Sequence, residues 1–196
     1  MARPRVIEQD DILDAAEAVV VRDGAAHLTL DAVAAAAGIS KASVIYDYKT
    51  KQQLIKAVIE RRLALEEERI CSASAGLGAV AGAPIHGMIA AAATAAQDEM
   101  RAVGINLAGA VAQDSELRKP VAEFYQEKIA TVMETIKDNS RGGLLAFLAL
   151  EGLKALEWNE FHCWPDHERQ RILREIAWLV DAEPAPEEIA TPPPSA

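Results

Sequence analysis

Cysteine is scarce in this sequence, whose 196 residues include only Cys71 and Cys163. Two cysteines without a paired spacing argue against a disulfide framework and a cysteine-rich metal site, and they fit a reducing cytoplasm. Long apolar runs are also missing, because the alanine-rich stretch 88–96 is too short and too weakly apolar to span a membrane, and no run of signal-peptide length follows the N-terminus. We therefore expect a cytoplasmic protein without a membrane partner.

Catalytic motifs are missing as well. The chain has no glycine-rich phosphate loop, no serine elbow and no His-Glu-x-x-His motif. His162, Cys163, Asp166 and His167 lie close together, and these residue types occur in metal sites and beside thiol nucleophiles. His162 and Cys163 are sequence neighbours at a helix end and would point in different directions, and a third zinc ligand is not evident. We predict no enzyme activity, no metal and no cofactor, and keep a metal-dependent or thiol enzyme as a distant alternative.

Basic residues are outnumbered by acidic ones, and the formal net charge is −10. Phosphate contacts need lysine and arginine, so this total argues against a nucleic acid partner. The charge is unevenly distributed, however: residues 1–62 contain nine basic and nine acidic side chains, whereas residues 63–196 contain eleven basic and twenty-one acidic ones. The sequence therefore predicts a neutral head and an acidic body with different roles.

Alternating β patterns of useful length are missing, and apolar residues recur at intervals of three and four, which predicts an all-α fold. The spacing predicts a first helix over about 7–22, with Gly24 as its stop. Thr29 and Ser40 are N-caps for two short helices separated by Gly38, so helix, glycine-bearing turn and helix follow within about twenty residues. This spacing is typical of a helix-turn-helix.

A capping box at Thr50-Lys51-Gln52-Gln53 predicts the start of a long fourth helix. The Thr50 hydroxyl accepts from the Gln53 amide, and the Gln53 side chain bonds back. The apolar spacing predicts a buried side with Leu54, Val58 and Leu65. The charged residues of this helix are expected to face water: Arg61, Arg62, Glu66, Glu67 and Glu68.

The segment 29–54 resembles the DNA-binding head of the TetR (tetracycline repressor)/AcrR-like family of bacterial transcriptional regulators, and it aligns with the family pattern without a gap. Two positions depart from that pattern. Ile45 stands where the family usually carries a phosphate-contacting tyrosine, and Asp47 stands where a histidine or another neutral or basic residue is common. The matching positions are Thr29, Val33-Ala34, Ala37-Gly38-Ile39-Ser40, Lys41-Ala42-Ser43-Val44, Tyr48, Lys51 and Leu54.

The third predicted helix fits the major groove, and the resemblance implies that it reads bases there. Lys41 can donate to guanine O6 and N7, while Ala42 and Ser43 are small enough to approach base edges and a thymine methyl group. Tyr46 is the candidate replacement for the hydroxyl missing at Ile45. The expected partner is therefore a double-stranded DNA operator.

Phosphate contacts, which set register without reading sequence, are expected at the edges of this helix. The further DNA-binding candidates are Thr29 and Ser40, each at a helix N-terminus, and Lys49 and Lys51 beyond the reading helix. In many family members an N-terminal arm like residues 3–5, with Arg3 and Arg5, tracks the minor groove or the backbone, and we expect it to order only on binding.

The body is predicted from apolar spacing and from helix breakers. Its helices are expected over 84–101, 103–112, 115–138 and 142–158, with a last helix launched at 165. The complete prediction is an all-α fold of about nine helices, with a three-helix head and a helical bundle. The predicted domains are a helix-turn-helix domain over 1–50, a ligand-binding and dimerisation domain over 51–181 and a disordered proline-rich tail over 182–196.

The resemblance implies an effector cavity enclosed by helices four to eight, whose occupation shifts the fourth helix and changes the separation of the two heads. Thioethers, rings and one amide suit an apolar ligand with one polar handle, although each such residue is also a candidate for plain core. The acidic excess favours a neutral or cationic effector. The candidate lining residues are Met88, Met100, Asn106, Phe124, Tyr125, Phe147 and Trp158.

The predicted eighth and ninth helices resemble the pair that forms the family's homodimer. Two such pairs form a four-helix bundle about a twofold axis and place two reading helices in major grooves about one helical turn apart. The alternative is that this face is monomer core. We expect a homodimeric repressor released from a palindromic operator by a small molecule; the alternative regulator binds a protein partner on its body and no small effector.

Overall fold

The computed structural model describes residues 9–78, 82–94, 98–135 and 141–182, and the side chains of 98–100 and 135 are outside this description. The predicted tail from 183 onward and the arm with Arg3 and Arg5 are also outside it. Over the described ranges the fold is all-α, as predicted, with these elements: α1 (Gln9–Asp23), a 3-10 helix (Ala25–His27), α2 (Leu30–Ala37), α3 (Lys41–Asp47), α4 (Lys51–Ala75), α5 (Ala83–Ala93), α6 (Asp98–Gln113), α7 (Ser115–Thr135), α8 (Gly142–Trp158) and α9 (Asp166–Asp181).

Side-chain caps begin the short helices of the head. The Thr29 hydroxyl accepts a hydrogen bond from the Ala32 amide at 3.0 Å, and the Ser40 hydroxyl accepts one from the Ser43 amide at 3.1 Å. Each cap satisfies a backbone donor that a helix N-terminus leaves without a partner. Both predicted N-caps are confirmed, and they fix where α2 and α3 begin.

The predicted capping box at the start of α4 is also confirmed. The Thr50 hydroxyl accepts from the Gln53 amide at 3.1 Å. The Gln53 side chain bonds back one residue before the cap, where its Oε1 accepts from the Lys49 amide at 2.8 Å. The turn between α3 and α4 is therefore held from both sides.

Gly38 closes α2 in the left-handed region, with φ 68° and ψ 34°. We expect Gly38→Ala to lower the free energy of unfolding by about 1 kcal/mol, because a Cβ in this region approaches the following carbonyl oxygen. Nothing lies within 4 Å of the position of the added Cβ, so the cost is conformational alone. Urea unfolding measures the change.

A matched control for this prediction is Gly109→Ala on α6, where an added Cβ also meets nothing within 4 Å. There the backbone is helical, so alanine is expected to be neutral or to stabilise by up to about 1 kcal/mol. A Gly38→Ala variant that is as stable as the parent protein would contradict the argument from the left-handed turn.

Two apolar cores hold the molecule together, and the first joins the head to the body. It contains head residues such as Val19 and Val33 together with Val103 and Leu107 of α6 and Leu117 of α7. The head therefore does not pack as a separate unit. The second core lies among α4, α5, α7, α8 and α9, and its members include Met88, Val132, Phe147, Leu150 and Ile176.

The boundary between the fifth and sixth helices differs from the prediction. The predicted helix over 84–101 ends at Ala93, and α6 begins at Asp98 instead of 103. Thr94 ends α5 because its backbone is extended and its hydroxyl donates to the Ala91 carbonyl oxygen at 2.8 Å. Alanine-rich spacing alone does not predict this stop.

The buried side of α4 also differs from the prediction. Leu54 and Val58 are fully buried, as predicted, but Leu65 is exposed. Arg61, Arg62 and Glu66, which were expected to face water, are largely buried. The two arginines bind Glu17 of α1, and Glu66 binds Arg69 and lies 3.7 Å from the Lys154 ammonium group. The contact with Glu17 joins residues more than forty positions apart and has no local sequence signal.

Candidate nucleic-acid interface and ligand cavity

Helix α3 presents one face to solvent and is anchored by the other. Val44 is fully buried in the head core, whereas Lys41, Ala42, Ser43 and Tyr46 are exposed. Ala42 and Tyr46 are four residues apart and lie on the same outward face, opposite Val44. Tyr46 is 79% exposed, so its ring and hydroxyl project from the protein without a core role.

Lys41 has a partner within the head. Its ammonium group lies 2.8 Å from a carboxylate oxygen of Asp31 on α2, and both side chains are exposed. An exposed ion pair of this kind contributes little to stability, so the ammonium group can exchange Asp31 for another acceptor at low cost. Sequence reasoning missed Asp31, because only the packing of α2 on α3 brings the two residues together.

Lys49 closes the C-terminal end of α3. Its ammonium group donates to the carbonyl oxygens of Ile45 at 3.1 Å and Tyr46 at 2.8 Å, and it lies 5.6 Å from the centroid of the Tyr46 ring. A cation at this end also interacts favourably with the helix dipole. Lys49 thus places a positive charge beside the exposed Tyr46.

Lys51 connects the start of α4 to the 3-10 helix. Its ammonium group donates to the Ala26 carbonyl oxygen at 2.8 Å. Thr29 and Ser40 use their hydroxyl groups as caps, and Ser40 also lies 2.9 Å from the Ser43 hydroxyl. These predicted contact residues therefore have structural partners, and they lie at the starts of α2, α3 and α4.

A cavity of about 300 Å³ lies among α4, α6, α7 and α8. Three of the predicted residues, Phe124, Tyr125 and Trp158, line it. The residues that sequence reasoning missed come mainly from α4 and α6; the only signal of the aliphatic ones was apolar spacing, and Arg62, Glu66 and Lys154 had none. The complete lining is Ile59, Arg62, Leu63, Glu66, Val103, Gly104, Leu107, Ala108, Val111, Val121, Phe124, Tyr125, Lys154 and Trp158.

The other predicted cavity residues have different positions. Met88 and Phe147 are buried in the second core, and the described lining of the cavity does not include them. Asn106 donates to the Ala102 carbonyl oxygen at 2.8 Å and lies near Gly24, where α6 meets the head. The side chain of Met100 is outside the described residues.

The Tyr125 hydroxyl is fixed at the edge of the cavity. It donates to a carboxylate oxygen of Glu151 at 3.0 Å. Burial, and then the neighbouring negative charge of Glu151, raises the pKa of Tyr125 well above its ordinary range. The hydroxyl therefore stays protonated at neutral pH and remains a donor to Glu151.

The outward side of α8 carries an apolar stripe. It has the helical spacing of three and four, and Leu148, the most exposed of its three leucines, is 56% exposed. On the adjoining α9, Trp178 is 69% exposed. Within the described chain, this stripe contacts no other helix closely enough to cover it. Its members on α8 are Leu145, Leu148, Ala149, Gly152, Ala155 and Leu156.

Two family models match the chain. The model described as bacterial regulatory proteins, tetR family, matches residues 12–58, and the model described as tetracyclin repressor-like, C-terminal domain, matches residues 82–181. The chain belongs to the TetR family. Its α1–α3 unit is therefore a DNA-binding helix-turn-helix, and the protein is a transcriptional regulator of this family.

Solved structures have the same TetR fold at low sequence identity. A transcriptional regulator from Pseudomonas aeruginosa PAO1 is 14% identical with a TM-score of 0.75, and the match covers 90% of this chain and 91% of that one. A TetR-family regulator from Rhodococcus sp. is 17% identical with a TM-score of 0.66 and coverage of 87% and 97%. The multidrug binding protein EbrR, complexed with malachite green, is 18% identical with a TM-score of 0.65 and coverage of 87% and 96%. No curated protein matches the sequence.

The histidine and cysteine cluster of this TetR-family chain has no metal-site geometry in the described residues. No group of three or more potential ligands lies together there. The His162 ring packs edge-on against Trp164 with centroids 4.4 Å apart, and Cys163 is exposed.

Among the described helices, none is long and apolar enough to cross a membrane.

Proposed function

We propose that the protein is a homodimeric repressor that leaves a palindromic operator when a small molecule fills the cavity among α4, α6, α7 and α8. The observation that carries the proposal is that Val103 and Leu107 belong both to the cavity wall and to the core of the head. They line the cavity and are also buried in the core that contains the helices of the head. A ligand that moves α6 therefore moves the packing surface of the head.

A second connection between cavity and head runs through Arg62. Its side chain lines the cavity, and its guanidinium group donates to Glu17 on α1. Arg61 binds the same carboxylate at 2.5 Å. A change in the position of α4 on ligand binding therefore alters the contacts of a buried charge cluster in the head. An allosteric transition needs such contacts, which differ between the ligand-free and ligand-bound states.

The apolar stripe of α8 and Trp178 of α9 support a homodimer. A twofold axis through this surface places the same patch of each subunit against its mate and buries both. Two heads then contact two half-sites of a palindrome about one helical turn apart. Among the possible partners of the body, a small effector is favoured over a protein because the cavity is lined mainly by apolar groups.

The assignments on DNA follow from the exposed face of the head. The base-facing residues are Lys41, Ala42 and Ser43, and Tyr46 contacts DNA from the solvent-exposed face of α3. Lys49 and Lys51, with the N-terminus of α2 capped by Thr29, hold phosphates. Ser40 acts through its cap and fixes the start of the reading helix.

The experiment that tests this function is a fluorescence titration of the protein onto DNA from upstream of its own gene, at several salt concentrations and against an unrelated duplex. We expect specific binding that weakens as salt rises, because phosphate contacts release counterions. Lys41→Ala is expected to weaken operator binding about tenfold or more, because Lys41 is assigned to a base edge.

The control for this titration is Lys119→Ala, which removes an exposed lysine on α7 and leaves the head unchanged. Its affinity for the operator is expected to equal that of the parent protein. Weak binding that is the same for both duplexes, or an equal effect of the two substitutions, would count against the assignment of Lys41 to the bases.

A further inference from the structure

Each charged side chain at the cavity wall is paired with a side chain of opposite charge. Arg62, Glu66 and Lys154 are the charged residues that line the cavity within the described chain, and all three side chains are largely buried. Burial makes their pairing important, because an ion removed from water without a partner carries a large free-energy cost.

Each of these three residues binds another part of the protein. The Lys154 ammonium group lies 3.0 Å from a carboxylate oxygen of Glu151 and 3.7 Å from one of Glu66. Glu66 also binds Arg69 at 2.7 Å, and Arg62 binds Glu17. The charges at the wall are therefore already neutralised by groups of the protein itself.

The neutral groups leave an apolar surface toward the cavity. The Tyr125 hydroxyl donates its proton to Glu151, so a ligand meets its ring and an oxygen that can only accept. Phe124 packs edge-on against Tyr125 with centroids 5.6 Å apart, and the Lys154 ammonium group lies 5.3 Å from the centroid of the Trp158 ring. The remaining wall is aliphatic and comes largely from α4 and α6.

We propose that the cavity takes an uncharged, ring-bearing and largely apolar molecule, and that it discriminates against both anions and cations of the same shape. A charged ligand would have to take Glu66 or Lys154 from its present partner, or remain unpaired in an apolar site. The volume of about 300 Å³ is at the small end of the usual range for ligand pockets, which fits a compact ring system. The proposal rests on the effector cavity of the proposed function.

The acidic excess of the body does not change this expectation. Most of its carboxylates lie elsewhere, and at the described cavity wall Glu66 is balanced by Arg69 and Lys154. The net charge of −10 therefore acts on the approach of a ligand more than on its bound state. We therefore expect the paired charges at the cavity wall, and not the net charge of the protein, to determine which ligands bind.

The test is calorimetric titration of the full-length protein with three molecules of one ring system: naphthalenemethanol, naphthoate and naphthylmethylammonium. We expect the neutral alcohol to bind at least about tenfold more tightly than either ion. An ion that binds as tightly as the alcohol would overturn the charge inference and leave the cavity intact. If none of the three binds, the effector cavity of the proposed function fails, and the charge inference with it.

Two variants test whether the paired wall sets the preference. Glu66→Gln removes one negative charge and is expected to improve naphthoate binding at least about fivefold, while Lys154→Met removes one positive charge and is expected to improve naphthylmethylammonium binding by a similar factor. Lys119→Met, an exposed lysine on α7, is the matched control and should change neither affinity. Circular dichroism establishes that each variant is folded. If folded Glu66→Gln and Lys154→Met proteins bind naphthoate and naphthylmethylammonium no more tightly than the parent protein does, the wall charges do not select the ligand and the inference is wrong.

Discussion

Leu148→Glu is expected to convert the proposed homodimer into a monomer that no longer binds a palindromic operator tightly. Leu148 is the most exposed of the three leucines of the α8 stripe. Across a twofold axis the two introduced carboxylates would lie in the same buried patch, where neither has a counter-ion, so association would lose its apolar contact and gain a desolvation cost. Light scattering after gel filtration measures the mass, and DNA titration measures the affinity.

The expected loss of DNA affinity is large, because a dimer would bind two half-sites in a single event, whereas a monomer would make only one weak half-site contact at a time. Linked binding sites gain about 10²–10⁴ in affinity over separate ones, and a monomer forfeits this gain. Ile105→Glu is the matched control, since Ile105 is an exposed apolar residue of α6 outside the stripe. A Leu148→Glu protein that stays dimeric, or an Ile105→Glu protein that dissociates equally, would place the interface elsewhere.

The head could be predicted closely because its signals are local. Thr29, Ser40 and Thr50 each cap a helix through the amide three residues later, and Gly38 adopts a left-handed conformation that favours glycine. These contacts span only a few positions, so the sequence contains both partners at a fixed spacing. The starts of α2 and α3 and the stop of α2 at Gly38 were accordingly predicted correctly.

The cavity could be predicted only in part, because its wall is assembled from separate helices. Apolar spacing predicts that Phe124 and Phe147 are both buried, but it does not predict which helix each one meets. Phe124 lines the cavity, whereas Phe147 fills the second core. The aliphatic α4 and α6 residues of the wall have the same spacing signal as ordinary core residues.

The largest error concerned charge. Arg61 and Arg62 follow Glu60 and precede a run of acidic residues, so the local sequence favours a solvated helix face. The structure instead pairs both with Glu17, which α1 supplies from a buried position. Only the crossing of α1 and α4 brings these residues together, and that crossing depends on the tertiary packing of the head.

Glu17→Gln is expected to lower the free energy of unfolding by about 3 kcal/mol, because it removes the negative partner of two largely buried guanidinium groups. Glu17 is only 6% exposed and binds Arg61 and Arg62. Arg61 keeps Asp14 at 2.7 Å, which limits the loss. Denaturant unfolding measures the change. Glutamine preserves the shape of the side chain, so the difference reports the charge.

Glu60→Gln is the control, because it is the same substitution at an exposed ion pair with Lys56, where a change below about 0.5 kcal/mol is expected.

If Glu17 also connects the cavity to the head, the Glu17→Gln protein should still bind naphthalenemethanol but release operator DNA less completely when the ligand is added. Unchanged stability would mean that other groups already neutralise Arg61 and Arg62. Normal release from DNA together with the expected loss of stability would restrict Glu17 to a structural role and leave α6 as the route of coupling.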